Sequence, residues 1–340
     1  MKRFLKISFC IIMAVLMCVP MMACNNGDNG SSKSGLDIRK TNGAYIVKSY
    51  AKEVVNGEVI DTLVISGKTV VGNDYNGEEI KIAANAFEGN NTLKEIVITD
   101  VTEIGKGAFA GMTKLEKLTI PFAGSKIGAV DNARLMGYLF DDSSYDEGVL
   151  ITQTVSGSEA NSDATTATYY VPATLKTIVI NYAGQDGYVV PEKTFSGFDS
   201  ALKTVTLNGN VTEIADGAFM GSSIQSIVIP DSVTKIGAYA FASCPMLKDV
   251  TLSANVASIG EKAFYQFKGT EIAFPEVSEN VLVIGTLAFA ESKLTTIVGY
   301  EYVKETGKWA FYNSEDLVAP YVNAGADKFG NAFDGCIIPE

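Results

Sequence analysis

At 340 residues the chain has room for one or two ordinary domains or for one extended repeat domain, and its 27 basic against 39 acidic residues give a net charge of −12. That balance argues against nucleic acid or an anionic membrane surface as a partner. The lack of any histidine removes Ser-His-Asp and Cys-His catalysis, histidine-based zinc sites and the commonest general base at neutral pH.

In chain order, Lys2, Arg3 and Lys6 precede an apolar run over 7–19, followed by Pro20 and then Met21-Met22-Ala23-Cys24. A basic start, a short apolar stretch and a small residue before a cut are the layout of an export signal. The run of 13 residues falls short of the roughly 20 that a spanning helix needs, so 1–23 is expected to be removed. Met21 to Cys24 resemble the lipobox of bacterial lipoproteins. The resemblance implies cleavage before Cys24 and a diacylglycerol on its thiol; an ordinary secretory signal with an incidental cysteine is the alternative. Two acyl chains suffice for stable anchoring, and the Asn/Gly/Ser-rich stretch 24–35 reads as a flexible tether reaching about 18 Å. Without the three basic residues of the signal, 24 basic residues face 39 acidic ones, a net −15.

Residues 36–58 lack the pattern that follows and are expected to cap the N-terminal end, because the first coil of a repeat array otherwise exposes its core. From 59 to 340 the chain repeats. Ala-Phe recurs at Ala86-Phe87, Ala108-Phe109, Ala218-Phe219, Ala240-Phe241, Ala263-Phe264, Ala288-Phe289, Ala310-Phe311 and Ala332-Phe333, with Thr194-Phe195 as an altered copy. From Phe195 onward, successive phenylalanines lie 24, 22, 23, 25, 22 and 22 residues apart. Upstream of the pair stands an apolar-x-x-apolar-Gly segment, as in Val233…Ile236-Gly237 and Val256…Ile259-Gly260. Downstream comes an apolar triplet such as Leu93…Ile96-Val97-Ile98 or Leu202…Val205-Thr206-Leu207. The triplet has strand alternation, two side chains inward and one outward. A single such coil cannot bury its apolar side, so neighbouring coils must stack on one another. The Ala-Phe step then places a ring at the same depth in every coil, and the preceding glycine suits a tight turn.

Period and pattern resemble the leucine-rich repeats, specifically the BspA-type variant. One unit shows the match: Ile229-Pro230, Val233-Thr234-Lys235-Ile236-Gly237 and Ala240-Phe241-Ala242-Ser243-Cys244. The resemblance implies a mainly β solenoid with a parallel sheet and short helical turns. It also implies a bacterial surface protein that attaches to host or neighbouring-cell proteins, without naming a ligand.

Residues 122–172 break the period and are rich in Ser, Thr, Asp and Tyr, with Tyr138, Phe140, Tyr145, Tyr169 and Tyr170 among them. Insertions in repeat proteins map to one face, often the binding face; the competing reading is an expanded coil that packs its own aromatics. Its acidic run Asp141-Asp142-Ser143-Ser144-Tyr145-Asp146-Glu147-Gly148 lacks the alternate-ligand spacing of an EF-hand loop, so a solvated loop is expected and no metal. Cys244 and Cys336 both stand three residues after a repeat phenylalanine and read as small core residues rather than as a disulfide pair.

Two surfaces are candidates for contact. One is the row of outward strand positions Val64, Val97, Thr119, Val179, Thr206, Val228, Thr251, Ala273, Val298 and Tyr321, which also simply suits a strand. The other is a C-terminal aromatic set, Trp309 with Tyr300, Tyr302, Tyr312 and Tyr321, of the kind favoured at binding hot spots; packing at the end of the array is its alternative. The sequence reading is a non-enzymatic, cofactor-free binding or adhesion protein, exported and lipid-anchored to the bacterial cell envelope, with an extracellular protein or glycan as partner. A glycan-acting enzyme or accessory subunit using carboxylates of the insertion, and a structural envelope component, remain the alternatives.

Overall fold

The structure is a computed structural model that describes residues 35–52, 54–55, 58–156, 165–276, 282–319 and 331–337. The chain winds as a mainly β solenoid in which each regular coil has three sides. The first side is the apolar triplet. Among the described residues Thr62–Ile65, Glu95–Ile98, Lys117–Ile120, Thr177–Tyr182, Thr204–Gly209, Ser226–Val228 and Asp249–Thr251 form one parallel sheet in that spatial order. Glu271–Ala273 and Thr296–Val298 pair in the same way in later coils. The alternation expected from the sequence holds: Ile96 and Ile98 are fully buried, while Val97 between them is half-exposed.

The second side is a sheet that the sequence reading did not distinguish. The Val-x-x-Ile-Gly segments become the strands Tyr188–Val190, Val211–Ile214, Lys235–Ile236, Ser258–Ile259, Leu282–Ile284 and Val303–Thr306, parallel and stacked coil upon coil. An equivalent sheet at the N-terminal end runs Leu36–Thr41, Ala44–Tyr50, Ile80–Ile82, Glu103–Ile104. Its first two strands are an antiparallel hairpin turning at Asn42 and Gly43, both with positive φ, as a two-residue Asn-Gly turn requires. Leu36, Ala44 and Val47 of this hairpin are buried against the first coils.

The third side carries the Ala-Phe pairs. Here the backbone runs a ladder of its own, with the N–H of each phenylalanine donating to the alanine carbonyl of the next coil: Phe195 to Ala218 O, Phe219 to Ala240 O, Phe241 to Ala263 O and Phe264 to Ala288 O, each at 2.7 Å. The rings follow at nearly the same spacing. Centroids of Phe195–Phe219, Phe219–Phe241, Phe241–Phe264 and Phe264–Phe289 lie 4.9, 5.0, 5.1 and 5.0 Å apart, with interplanar angles of 4, 5, 8 and 7°. The file continues through Phe311 to Phe333, and Phe87 stacks on Phe109 at the other end. The strand-like rise between coils, about 4.8 Å, sets the ring spacing, and the nearly parallel, offset geometry is one that aromatic pairs favour.

The glycine before the pair serves a different purpose from the one its position suggests. Gly105, Gly237, Gly260, Gly285 and Gly307 do not have positive φ. A Cβ on Gly260 would lie 2.5 Å from Ala238 N, one on Gly285 2.7 Å from Gly260 C, and one on Gly307 2.6 Å from Thr286 N. Backbone packs on backbone there, and no side chain fits. The left-handed corners fall instead two residues before and two after the phenylalanine, as at Tyr239 and Ser243, Lys262 and Gln266, Leu287 and Glu291, and Trp309 and Asn313.

The insertion is an expanded coil with its own packed interior. The triplet sheet passes it without a break, since Lys117–Ile120 pairs directly with Thr177–Tyr182. Short 3-10 turns at Asp131–Arg134 and Met136–Leu139 lead to the antiparallel strands Gly148–Ser156 and Thr165–Pro172. Phe122, Leu135, Met136, Leu139, Phe140, Ile151 and Val171 are at most 2% exposed. Phe140 takes the rung after Phe109: the Phe109 N–H donates to Leu139 O at 2.9 Å, and the two rings are tilted at 6.0 Å. On the other flank the ladder is completed by a side chain. Gln153, fully buried, donates its amide nitrogen to Thr194 O at 2.9 Å and Ser196 O at 3.1 Å, and accepts from Gly137 N–H at 2.7 Å. In regular coils those carbonyl positions receive backbone N–H groups of the preceding coil, as Ala218 O and Met220 O do from Phe195 and Gly197.

Two substitutions test this account. Gln153→Leu strands the Gly137 N–H and Ser196 carbonyl in the interior, at about 1–3 kcal/mol for each unsatisfied group. Gly260→Ala forces two coils apart and costs about 1–3 kcal/mol by overpacking. Urea denaturation midpoints should fall for both, whereas Gly72→Ala, where an added Cβ meets nothing within 4 Å, tests the opposite case of a glycine held only by its positive φ and should cost about 1 kcal/mol.

Candidate functional site

Signal, tether, the lipidation candidate Cys24 and Tyr321 lie outside the described residues, Gly35 excepted. Among the remaining candidates the structure separates core from surface. Tyr300 is 4% exposed, packs edge-on against Phe311 and Phe333, and shares a 2.7 Å hydrogen bond with the Thr306 hydroxyl. It is a core residue and leaves the contact set; its place in a 3-10 turn, Tyr300–Tyr302, points the first tyrosine inward. Tyr302 is half-buried in the same turn. Trp309 and Tyr312 do come together at the surface, their rings 6.0 Å apart. Trp309 is itself partly engaged: Lys308 Nζ lies 3.6 Å above its ring and its indole N–H donates to Asp334 Oδ2 at 3.1 Å.

Trp309 belongs to a row. It stands at the left-handed corner two residues before its phenylalanine, and in the preceding coils Leu287, Lys262 and Tyr239 occupy the same corner with φ of 56, 51 and 56°. Beside them, one residue after the phenylalanine, stand Tyr265 and Tyr312. Lys262 Nζ lies 5.4 Å from the Tyr239 ring and 5.7 Å from that of Tyr265, so the cation is held between two aromatic rings. Burial first, then a hydrogen bond to Glu291, pushes the Tyr265 phenol up to about 12. An adjacent polar ladder, Ser243 to Gln266 at 3.2 Å and Gln266 to Glu291 at 3.1 Å, runs along the other left-handed corner. The result is a ridge of aromatic, aliphatic and basic side chains rising one coil at a time. Sequence reasoning nominated Trp309 and Tyr312 for contact but not Tyr239 or Lys262, which fill the same variable, outward slot two residues before the phenylalanine, and it passed over Tyr265, which follows its phenylalanine.

Where its strands pair, the outward strand row is in register: Val64 opposes Val97, Val97 Thr119, Thr119 Val179, Val179 Thr206, Val228 Thr251 and Ala273 Val298. Its exposure is uneven. Thr119 is 8% exposed, whereas Val228 and Val298 are 62 and 47% exposed, so the C-terminal half offers the open part of this face.

The acidic run of the insertion is structured by Lys106, whose ammonium reaches Asp141 Oδ1 at 2.8 Å and Asp142 Oδ2 at 3.3 Å. Burial works against the charge of Asp141, but hydrogen bonds from Lys106 and at Asp142 outweigh it and hold its carboxyl below the ordinary carboxylate range; the same contacts raise Lys106. Both free thiols serve the coil interior. The Cys244 thiol donates to Phe219 O at 3.0 Å and that of Cys336 to Phe311 O at 3.1 Å, as the Ser314 hydroxyl does to Phe289 O at 3.2 Å. Serine or cysteine fills this slot at Ser222, Cys244, Ser292, Ser314 and Cys336, each small and carrying one hydrogen to donate, while Met112, Phe198 and Phe267 fill it elsewhere.

Coils with two parallel sheets, a stacked phenylalanine file and a backbone ladder between them define a solenoid of the leucine-rich-repeat kind. The pattern described as "BspA type Leucine rich repeat region" matches in six copies over residues 76–130, 167–281 and 265–337. The chain belongs to this BspA-type leucine-rich repeat family. No curated protein matches the chain. Among solved structures it is similar to a leucine-rich repeat protein from Bacteroides ovatus, at 22% identity and a TM-score of 0.38, with 86% of this chain and 65% of that one covered. The chain thus spans somewhat under two thirds of that protein's length. It is also similar to a leucine-rich repeat protein from Eubacterium ventriosum, at 16% identity and TM-score 0.36 over 91 and 95% of the two chains. A third match is a leucine-rich cell surface protein from Faecalibacterium prausnitzii, at 14% identity and TM-score 0.26 over 93 and 96%. No helix among the described residues is long and apolar enough to cross a membrane.

Burial raises the Cys244 thiol to about 11, so only about one part in a thousand is thiolate at pH 8. A thiol-reactive disulfide reagent at that pH should leave Cys244 untouched in the native protein and react after unfolding in guanidinium. Rapid native reaction at Cys244 would show that its coil opens.

Proposed function

We propose that this chain is an exported binding or adhesion protein, held to the bacterial envelope by a lipid on Cys24, that offers its repeat surface to an extracellular protein or glycan. The contact is the ridge formed by Tyr239, Lys262, Tyr265, Leu287, Trp309 and Tyr312. One observation supports this most directly. The corner before each phenylalanine has φ near +55°, where a residue with a side chain costs about 1–2 kcal/mol relative to glycine. Gly107 and Gly217 occupy it in two other coils, with φ of 65 and 61°, and Asn85 and Lys193 in two more, each with φ of 57°. Four successive coils instead hold Tyr, Lys, Leu and Trp there. Backbone strain that persists under bulky surface side chains is a reason to look for function there, and tyrosine and tryptophan on a rigid scaffold are the side chains that binding hot spots favour. Repeat surfaces suit extended partners and do not enclose a cleft. Of the carboxylates in the insertion, on which the enzymatic alternative depends, Asp141 and Asp142 are both paired with Lys106, which supports the binding reading.

Stability and binding should move in opposite directions along the ridge. Tyr239→Gly and Leu287→Gly should each raise the unfolding free energy by about 1 kcal/mol through relief of the left-handed corner. Each should weaken retention on whichever matrix protein or glycan the full-length chain binds in a solid-phase panel, and Trp309→Ala should weaken it further. Unchanged retention in all three variants would remove the ridge as the contact. The anchor is tested separately: Cys24→Ser should abolish incorporation of labelled palmitate in a bacterial host, and persistent labelling would place the lipid elsewhere.

A further inference from the structure

A second surface feature belongs to the insertion. Strand Thr165–Pro172 pairs with Gly148–Ser156 on one side only. On its other side Tyr170 turns outward, its N–H donating to Asp141 O at 3.0 Å and its C=O accepting from the Tyr145 hydroxyl at 3.4 Å. Alternate residues of an antiparallel strand face the same edge, so Thr168 and Thr166 turn outward with Tyr170. Thr152, opposite Thr168, faces the other way, with its carbonyl packed closely on Gly197. Both threonines are exposed, and among the described residues nothing bonds to their outward N–H and C=O groups. In front of them lies an open groove of about 450 Å³, lined also by Lys106, Asn132, Tyr138 and Asp142. The chain at Asp141 holds the neighbouring-strand position for one residue, and no other described segment continues it.

Strand edges are ordinarily guarded by charges, proline or bulges. The edge strand Leu36–Thr41 follows that rule, with Asp37, Arg39 and Lys40 along it. Residues 165–170 read Thr-Thr-Ala-Thr-Tyr-Tyr, strand-forming types with neither charge nor proline among them. An unguarded edge that opens on a groove suits the addition of an extended peptide, whose main-chain hydrogen bonds supply the affinity. Charge narrows the choice of peptide. Lys106 stands against two carboxylates, Asp141 and Asp142, which leaves this wall net negative. The Asp142 side chain is 60% exposed and that of Asp141 18%, so Asp142 is the carboxylate a partner can reach, and a cation complements it. We propose that a basic, extended segment of a partner protein adds as a strand to the edge at Thr166 and Thr168, with a lysine or arginine beside Asp142. This rests on the reading of the chain as a binding protein and names a protein partner for one contact, separate from the C-terminal ridge.

The probe is a library of linear octapeptides displayed on phage and selected on the full-length chain purified in detergent. The best-bound peptide is then synthesised and titrated by fluorescence anisotropy. In an added strand only every second N–H faces the edge. Methylating the backbone nitrogens of one alternate set should therefore weaken binding at least tenfold, and methylating the other set should leave it nearly unchanged. Thr168→Pro removes an N–H that the fold does not use, a change edge strands tolerate, and should also lose at least tenfold. Asp142→Asn should weaken binding severalfold at low salt and little at high salt, while Trp309→Ala should bind as wild type does. Equal tolerance of both methylation patterns would overturn the proposal whether or not Thr168→Pro folds. So would wild-type affinity in a folded Thr168→Pro, a loss in Trp309→Ala instead, selected peptides without a basic residue, or no selected peptide. Dimers that form with rising concentration and vanish in Thr168→Pro would assign the edge to a second copy of the chain and overturn it likewise. Any of these overturning results, together with ridge-dependent retention on a matrix protein or glycan, would remove this strand site and leave the proposed function standing.

Discussion

The structure depends on one constraint: every coil must meet its neighbour at a single rise on all three sides. A parallel sheet fixes that rise on two sides through its hydrogen bonds. The third side has no strand, and there the Phe-to-Ala backbone bonds at 2.7 Å impose the same step. Everything placed between those ladders inherits the spacing. The phenylalanine rings stack at about the interstrand distance because their backbone leaves them no other separation, and the glycines at 237, 260, 285 and 307 are required because the coils approach closely enough to exclude a Cβ. Ring stacking adds to apolar burial rather than setting the geometry.

This is also why so much of the fold was legible in the sequence. Residues that sit inside the ladders repeat, since each coil imposes the same demand on them: Ala-Phe, the apolar triplet and the Val-x-x-Ile-Gly segment could be aligned by eye. Two things were not legible. The glycine's role depends on a neighbour some two dozen residues away, so local turn chemistry pointed to the wrong reason. The second sheet was hidden because strands of two to four residues, such as Lys235–Ile236, are too short to show alternation. The hairpin at the N-terminal end did announce itself, through Asn42-Gly43, but the flanking segment lacks the repeat that drew attention elsewhere.

The insertion shows how the constraint is met when the repeat fails. Phe140 keeps the ring file going at the cost of a 48° tilt, and Gln153 supplies a side-chain amide to Ser196 O in place of a backbone donor, while Thr194 O also receives the Met136 N–H. A primary amide carries the same donor and acceptor chemistry as a peptide group, so one residue can repair a gap in a backbone ladder. Neither Phe140 nor Gln153 stands at a repeat position, and the Ser/Thr/Tyr-rich composition of 122–172 gave no sign that its interior is as buried as the rest. At the surface the candidate aromatics divided for a similar reason. Tyr300 and Trp309 look equally eligible in the sequence, and only their coil positions, one inside a turn and one at a left-handed corner, separate core from ridge.

The left-handed corners have a further consequence. At Tyr239, Lys262, Leu287 and Trp309 the side chain lies outside the buried core, so it escapes most of the packing code that governs the rest of the coil. A lineage can therefore exchange residues there, coil by coil, without renegotiating the interior, and the same scaffold can be re-addressed to a new target through a single column of positions.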